Sequence, residues 1–135
     1  MILYVVIDTN VLVSSLISSH DDSATVLLVK KLFSDEIVPL YNIAILEEYN
    51  EVLKRKKFKF NQASVDILLN AIIERGLLIE TTSINMEFID ETDKPFYETL
   101  ISYSGGQAYL VTGNIKHFPK EETILTPNDL LKLFQ

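Results

Sequence analysis

The stretch YVVIDTNVLV, residues 4–13, decides the fold that we predict for this chain. Its first four residues are aromatic or aliphatic and largely β-branched, which is typical of a buried strand. The strand ends at Asp8, and a carboxylate beside a buried strand is costly unless something compensates its charge. Asp8 therefore either caps the helix that follows or belongs to a functional site.

The length and composition are those of an ordinary globular protein. We expect the 135 residues, 1–135, to form a single domain with one sizeable core. A hydrophobic fraction of 47% with 23% charged residues excludes a disordered chain. The apolar N-terminal run is too short to span a bilayer and lacks the features of a signal peptide. The chain has no cysteine, which excludes disulfides and thiolate metal sites, and we expect a cytoplasmic location with no membrane association.

The charge of the chain is acidic overall but has one basic segment. A net charge of −7 disfavours a general nucleic-acid binder, because phosphate contacts require Lys and Arg. Five of the twelve basic residues nevertheless lie in KRKKFK, residues 54–59, which contains Phe58 and is followed by Phe60. Such a segment either contacts RNA locally or is a solvated helix end whose cations complement the macrodipole. The candidate RNA contacts are Lys54, Arg55, Lys56, Lys57 and Lys59.

Short apolar segments alternate with helical segments along the chain, which predicts an α/β fold. The predicted strands are residues 2–7, 36–41, 77–81, 108–112 and 123–125. The predicted helices are a region after Asp8 that breaks near residues 18–23, then 44–56, 61–76 and 93–106, and a last helix opened by Thr126 and Pro127. Such alternation indicates a short, mainly parallel sheet covered by helices on both faces.

Two details of this reading bear on the site. Pro39 indicates that the second strand lies at an edge of the sheet or ends there. Parallel α/β sheets form their sites at the carboxyl ends of the strands. Asp8 follows one such end, and Thr112, Gly113 and Asn114 follow another.

The helix predicted over 44–56 presents one glutamate differently from its neighbours. At about 100° per residue, Glu48 lies at the border of the apolar face, whereas Glu47 and Glu51 point away from it. A border glutamate is often a surface residue, so its position matters only if other acids converge with it. The third acidic segment is FIDETDKPFYE, whose Asp90 and Asp93 either cap a helix start or join a site.

Convergence of these acids predicts a divalent cation. Three carboxylates around one crevice repel each other, and each resists ionising. Mg²⁺ or Mn²⁺ removes that conflict, because both ions prefer oxygen ligands and keep water molecules for a phosphate substrate. The two histidines, His20 and His117, have no metal-ligand spacing, so we do not expect zinc.

Three blocks, in order, resemble the PIN domain family: VVIDTNVLVSSL at the start, ILEEYNEVL in the middle, and DETDKPFYETLIS followed by AYLVTGNIKHFP near the end. The resemblance covers essentially the whole chain. Within the family, the chain resembles the toxin components of bacterial and archaeal toxin–antitoxin pairs. It implies a three-layer α/β/α sandwich, metal-dependent cleavage of single-stranded RNA, a small antitoxin protein as partner, and a homodimer as one oligomeric form.

The resemblance also assigns residues to the catalytic site. It places three acidic metal ligands on Asp8, Glu48 and Asp93, with Mg²⁺ or Mn²⁺ as the ion. Asn114 joins the catalytic set where many members have a fourth aspartate, and it keeps a side-chain oxygen without the charge. Supporting hydrogen bonds are expected from Thr9, Asn10 and Thr112. The implied reaction is hydrolysis of a phosphodiester by activated water, which leaves a 5′-phosphate and a 3′-hydroxyl.

Two other functions stay open at this point. A non-catalytic module of the same fold, binding RNA or a protein, is compatible with Asn114 and with the acidic surface. A phosphatase with Asp8 as nucleophile is the other alternative. It fits less well, because the corresponding D-x-D pattern needs an aspartate where this chain has Asn10.

Overall fold

The computed structural model describes residues 1–135 and has an α/β architecture with a five-stranded, all-parallel sheet. The strands are β1 (Leu3–Ile7), β2 (Ile37–Tyr41), β3 (Leu77–Leu78), β4 (Ala108–Val111) and β5 (Ile124–Leu125). Their order across the sheet is β3-β2-β1-β4-β5, so β1 lies at the centre. This confirms the predicted fold class, with a sheet that is parallel throughout.

Six α-helices flank the sheet. They are α1 (Thr9–Ile17), α2 (Ala24–Phe33), α3 (Ile43–Leu53), α4 (Gln62–Arg75), α5 (Lys94–Ser102) and α6 (Pro127–Lys132). In β1 the consecutive residues Val5, Val6 and Ile7 are all completely buried. Because successive strand residues point to opposite faces, both faces of the central strand are covered. None of the helices has the length and apolar character that crossing a membrane would require.

The position predicted for the second strand at a sheet edge is wrong. β2 pairs with β1 on one side and with β3 on the other. Pro39 is tolerated there because the ladder with β3 begins only at Leu40, so its missing N–H leaves no bond of that ladder unmade. Beside Pro39 the chain passes through Gly76, where an added Cβ would collide with the Pro39 carbonyl oxygen.

Several predicted boundaries also change. The third strand is shorter than expected, because only Leu77 and Leu78 pair with β2. The helix predicted over 44–56 ends at Leu53, and a 3₁₀ turn covers Lys56–Phe58. The basic segment 54–59 therefore lies in the connection after α3 and is not part of that helix.

Three of the helices begin beside a side chain that caps them. Asn42, Asn61 and Thr126 each accept a hydrogen bond from a backbone N–H in the first turn of the helix they precede. These bonds fix where α3, α4 and α6 begin.

The register of the two central strands places the candidate residues at one edge. Ile7 of β1 stands opposite Val111 of β4, and the Asp8 N–H donates to the Val111 carbonyl oxygen at 3.0 Å. Asp8 and Thr112 are therefore the first residues beyond two neighbouring parallel strands. This edge is the one at which parallel α/β sheets place ligands.

Candidate active site

A cavity of about 480 Å³ opens at this edge of the sheet. All four predicted catalytic residues line this cavity, although they come from four separate segments of the chain. They are Asp8, Glu48, Asp93 and Asn114. Two of the predicted supporting residues, Thr9 and Asn10, line the same cavity.

Asp8 is the most buried acid of the cavity, with only 5% of its surface exposed. Its backbone stands at the N-cap position of α1, but its side chain makes no capping hydrogen bond. It accepts instead from the Thr112 hydroxyl at 2.7 Å. Burial raises the pKa of the Asp8 carboxyl to about 6, and the nearby charges of Asp93 and Glu48 add to this rise. Of the two roles considered for Asp8, the structure shows no capping hydrogen bond from its side chain.

Glu48 is held at the cavity by two contacts. Its carboxylate accepts a hydrogen bond from the Thr9 hydroxyl. The adjacent Tyr49 is buried, and its hydroxyl donates to the Ile7 carbonyl oxygen at the end of β1. Partial burial raises the pKa of Glu48, and the Asp93 charge contributes to the rise. The helical-wheel prediction for Glu48 is confirmed to this extent, since Glu48 is half-buried and Glu47 is exposed.

Glu51 is exposed, as the helical wheel predicts, and it also lines the cavity. It lies three residues after Glu48, so the two side chains are neighbours on the helix surface. Its carboxylate binds both Nε and Nη2 of Arg55, at 3.1 and 2.8 Å. Arg55 lines the cavity as well.

The structure separates the roles of Asp90 and Asp93. The Asp90 carboxylate accepts from the Thr92 N–H at 3.0 Å and from the Thr92 hydroxyl at 2.8 Å. These two bonds lower the pKa of Asp90, and they are the capping bonds expected at a helix start. Asp93 makes no capping bond with its side chain. Partial burial raises the pKa of Asp93, and both aspartates line the cavity.

Sequence reasoning missed His117, which contacts Asp93. Its Nδ1 lies 3.2 Å from Asp93 Oδ2, and an ionised carboxylate only accepts, so Nδ1 carries the hydrogen. The contact opposes the rise in the pKa of Asp93. His117 stands in a 3₁₀ turn, Ile115–His117, directly after Asn114. No spacing in the sequence indicates that this turn meets the start of α5.

The predicted supporting residues shape the loop after β4. Asn114 donates its N–H to the Thr112 hydroxyl at 2.9 Å, so that hydroxyl links the loop to Asp8. Gly113 donates its N–H to Asn10 Oδ1 at 3.3 Å. Thr112 and Asn10 therefore hold the backbone on which Asn114 reaches the cavity.

The basic segment 54–59 meets the cavity through two of its residues, Arg55 and Phe58. Among its lysines, Lys54 lies 4.0 Å from Asp66, and Lys57 Nζ lies over the Phe58 ring, 5.1 Å from its centroid. Lys56 and Lys59 are exposed. Of the five cations predicted to contact RNA, only Arg55 lines the cavity.

The donor set fits Mg²⁺ or Mn²⁺ in kind, although the side chains do not form a ready-made cage. All candidate ligands are oxygen atoms, and neither Asp8 nor Glu48 has a Lys, Arg or His partner. No three His, Cys, Asp or Glu side chains lie close enough together to hold a metal ion as they stand. A cation bound here would have to draw the carboxylates closer, and it would relieve the repulsion that raises their pKa values.

Comparison with known proteins agrees with this geometry. Residues 4–116 match the model of the PIN domain family. No curated protein and no solved structure gave a significant match. PIN domains are generally nuclease modules and usually use divalent metal ions. With a family match over most of its length and acidic residues gathered at the carboxyl edge of a parallel sheet, this chain belongs to the PIN domain family.

Proposed function

We propose that this protein is a Mg²⁺- or Mn²⁺-dependent endoribonuclease that cleaves single-stranded RNA. One observation supports this proposal above the others. Asp8, Glu48 and Asp93 come from three distant segments and line one cavity, and burial together with mutual repulsion raises the pKa of Asp8 and Glu48. Acids held together against their own repulsion are typical of a functional site.

Each residue then has a defined role. Asp8, Glu48 and Asp93 would hold the cation, which when bound supplies neutralising charge and Lewis-acid activation of water and phosphate. Asn114 offers an amide oxygen or N–H to orient the attacking water or a phosphate oxygen. The supporting hydrogen bonds keep the acids oriented, with Thr112 on Asp8, Thr9 on Glu48 and His117 on Asp93.

A cleavage assay with matched variants tests the proposal. The wild type should cleave single-stranded RNA in Mn²⁺ and lose this activity in EDTA. Glu48→Gln should lower kcat/KM by about 100-fold or more, as expected when an interaction worth about 3 kcal/mol in the transition state is removed. Glu47→Gln, one residue away and exposed, is the matched control and should cleave at the wild-type rate. An equal loss of cleavage activity in Glu48→Gln and Glu47→Gln, or cleavage that persists in EDTA, would contradict the proposal.

The biological role that we propose is that of a toxin in a toxin–antitoxin pair, restrained by a small antitoxin protein. The support is the residues of the sequence motifs and their order along the chain, above all DTNVLVS near the start and TGNIKHF near the end. Expression in a bacterial host should arrest growth, and Asp93→Asn should remove the arrest while the variant stays folded. Co-expression of a small protein encoded beside this gene should restore growth. Arrest that is equally strong with Asp93→Asn would exclude RNA cleavage as its cause.

One observation favours a second candidate, a non-catalytic module that binds RNA or a protein. No three acidic or imidazole side chains are close enough to hold an ion as they stand. Calorimetric titration distinguishes the two functions. A nuclease should bind Mn²⁺ in a manner that Asp8→Asn abolishes, whereas a binding module should take up RNA or protein without any dependence on the ion.

A further inference from the structure

We infer that Phe58, supported by Phe60, is a stacking platform for one base of a single-stranded nucleic acid at the edge of the acidic cavity. The inference rests on the proposed function and adds a substrate-binding residue to it. Phe58 lines the cavity together with Asp8, Glu48 and Asp93. A base on this ring would lie beside the residues proposed to act on the phosphodiester.

The two rings form an ordered stack. The centroids of Phe58 and Phe60 are 5.0 Å apart, and the ring planes differ by only 5°. Phe60 packs against the hydrophobic core, whereas Phe58 is not among the residues that pack there. Phe60 thus anchors the stack on one face of Phe58, and Phe58 extends it toward the cavity.

The backbone explains how residues two apart can stack. After α3 ends at Leu53, the chain makes the 3₁₀ turn Lys56–Phe58, and Lys59 then adopts a left-handed conformation with φ of 54°. Residues other than glycine rarely adopt this backbone conformation. Lys59 lies between the two phenylalanines, whose rings stack.

The charges around the stack favour nucleic acid over an apolar protein segment. Lys57 Nζ lies 5.1 Å from the Phe58 centroid, and Lys56 and Lys59 are exposed beside it. A stacked base brings phosphates of its own strand within reach of these cations. Aromatic rings flanked by cations bind single strands with little sequence preference, because every base has a π-face. On a chain of net charge −7, this segment is the densest group of basic residues.

A double-mutant cycle between protein and RNA tests the stack directly. Short single-stranded RNAs carry one abasic site that is moved along the chain, and binding is followed by fluorescence anisotropy in Ca²⁺, with RNA integrity checked afterwards. For the wild type, loss of the base at one position should raise Kd by roughly tenfold. For Phe58→Leu, the intact RNA should bind roughly tenfold more weakly, and the abasic site should have no further effect.

Two variants serve as controls. Phe58→Trp should keep the affinity and the sensitivity to the abasic site, because indole also stacks. Phe33→Leu changes an exposed phenylalanine on α2 that lines a different cavity, and this variant should bind like the wild type. Thermal unfolding of each variant identifies any loss of binding that comes from misfolding.

The outcomes separate this inference from the proposed function. If the wild type cleaves RNA in Mn²⁺ but Phe58→Leu responds to every abasic site as the wild type does, the platform is refuted and the nuclease stands. If the platform shows the predicted coupling but no cleavage occurs with any divalent ion, the platform stands and the nuclease is refuted. Binding of a protein segment at Phe58, with no RNA binding, would refute both.

Discussion

Replacing Asp8 by asparagine should make the metal-free protein more stable. Asp8 is buried, and its nearest charges are other acids, so its ionised form is disfavoured in the folded state. Asparagine keeps the shape and can still accept from the Thr112 hydroxyl, but it has no charge. The rise of the Asp8 pKa from 3.8 to about 6 on folding corresponds to about 3 kcal/mol of unfolding free energy at pH 7.

The sign of the pH dependence follows from that rise. A carboxyl with a higher pKa in the folded state binds its proton more tightly when folded, so the wild type gains stability relative to Asp8→Asn as the pH falls. The difference between the two proteins should be about 3 kcal/mol at pH 7, about half of that at pH 5, and close to zero near pH 3.

Urea unfolding in EDTA across this pH range measures the difference. Asp21→Asn, at an exposed position, should change the unfolding free energy by no more than about 0.5 kcal/mol. Mg²⁺ should stabilise the wild type by mass action and leave Asp8→Asn unaffected. An Asp8→Asn protein that is no more stable than the wild type at pH 7, or a difference that does not shrink in acid, would refute this account of the site.

Three further substitutions test the contacts that orient the acids. Thr112→Val removes the hydroxyl that donates to Asp8 and should lower the unfolding free energy by about 1–3 kcal/mol in urea titrations, because the buried carboxyl loses its partner. Tyr49→Phe deletes a buried hydroxyl and should lower the unfolding free energy by about 1 kcal/mol. A shift of α3 after this loss would move Glu48 and lower kcat. His117→Ala should weaken Mg²⁺ binding by about tenfold in calorimetry, since side chains that hydrogen-bond to metal ligands typically contribute that much. An unchanged Mg²⁺ affinity would show that Asp93 does not need the hydrogen bond from His117.

Much of the fold could be predicted because its signals are local. The run of residues 4–7 is apolar at every position, and a strand buried on both faces needs that pattern. Asn61 and Thr126 indicate where their helices begin, because a capping side chain bonds to N–H groups only two or three residues away. Local signals also misled, as with Pro39, whose backbone suits an interior strand because β3 pairs with β2 only beyond it.

The candidate site was only partly accessible from the sequence. Glu48 could be recognised because helical periodicity places it at the border of the apolar face of its own helix. The same periodicity does not show that the exposed Glu51 also lines the cavity. Asp93 could not be separated from Asp90 by spacing alone. Only the folded chain shows that Asp90 bonds to Thr92.

The sequence by itself determined the alternation of strands and helices, and with it a parallel sheet whose carboxyl edge receives Asp8. Tertiary structure decided which side chains meet at that edge. His117 reaches Asp93 across 24 residues, and Thr112 reaches Asp8 across 104. The physical reason is that periodicity and capping depend on neighbours within a turn or two. Contacts between distant segments depend instead on strand register and helix packing, which the whole core sets together.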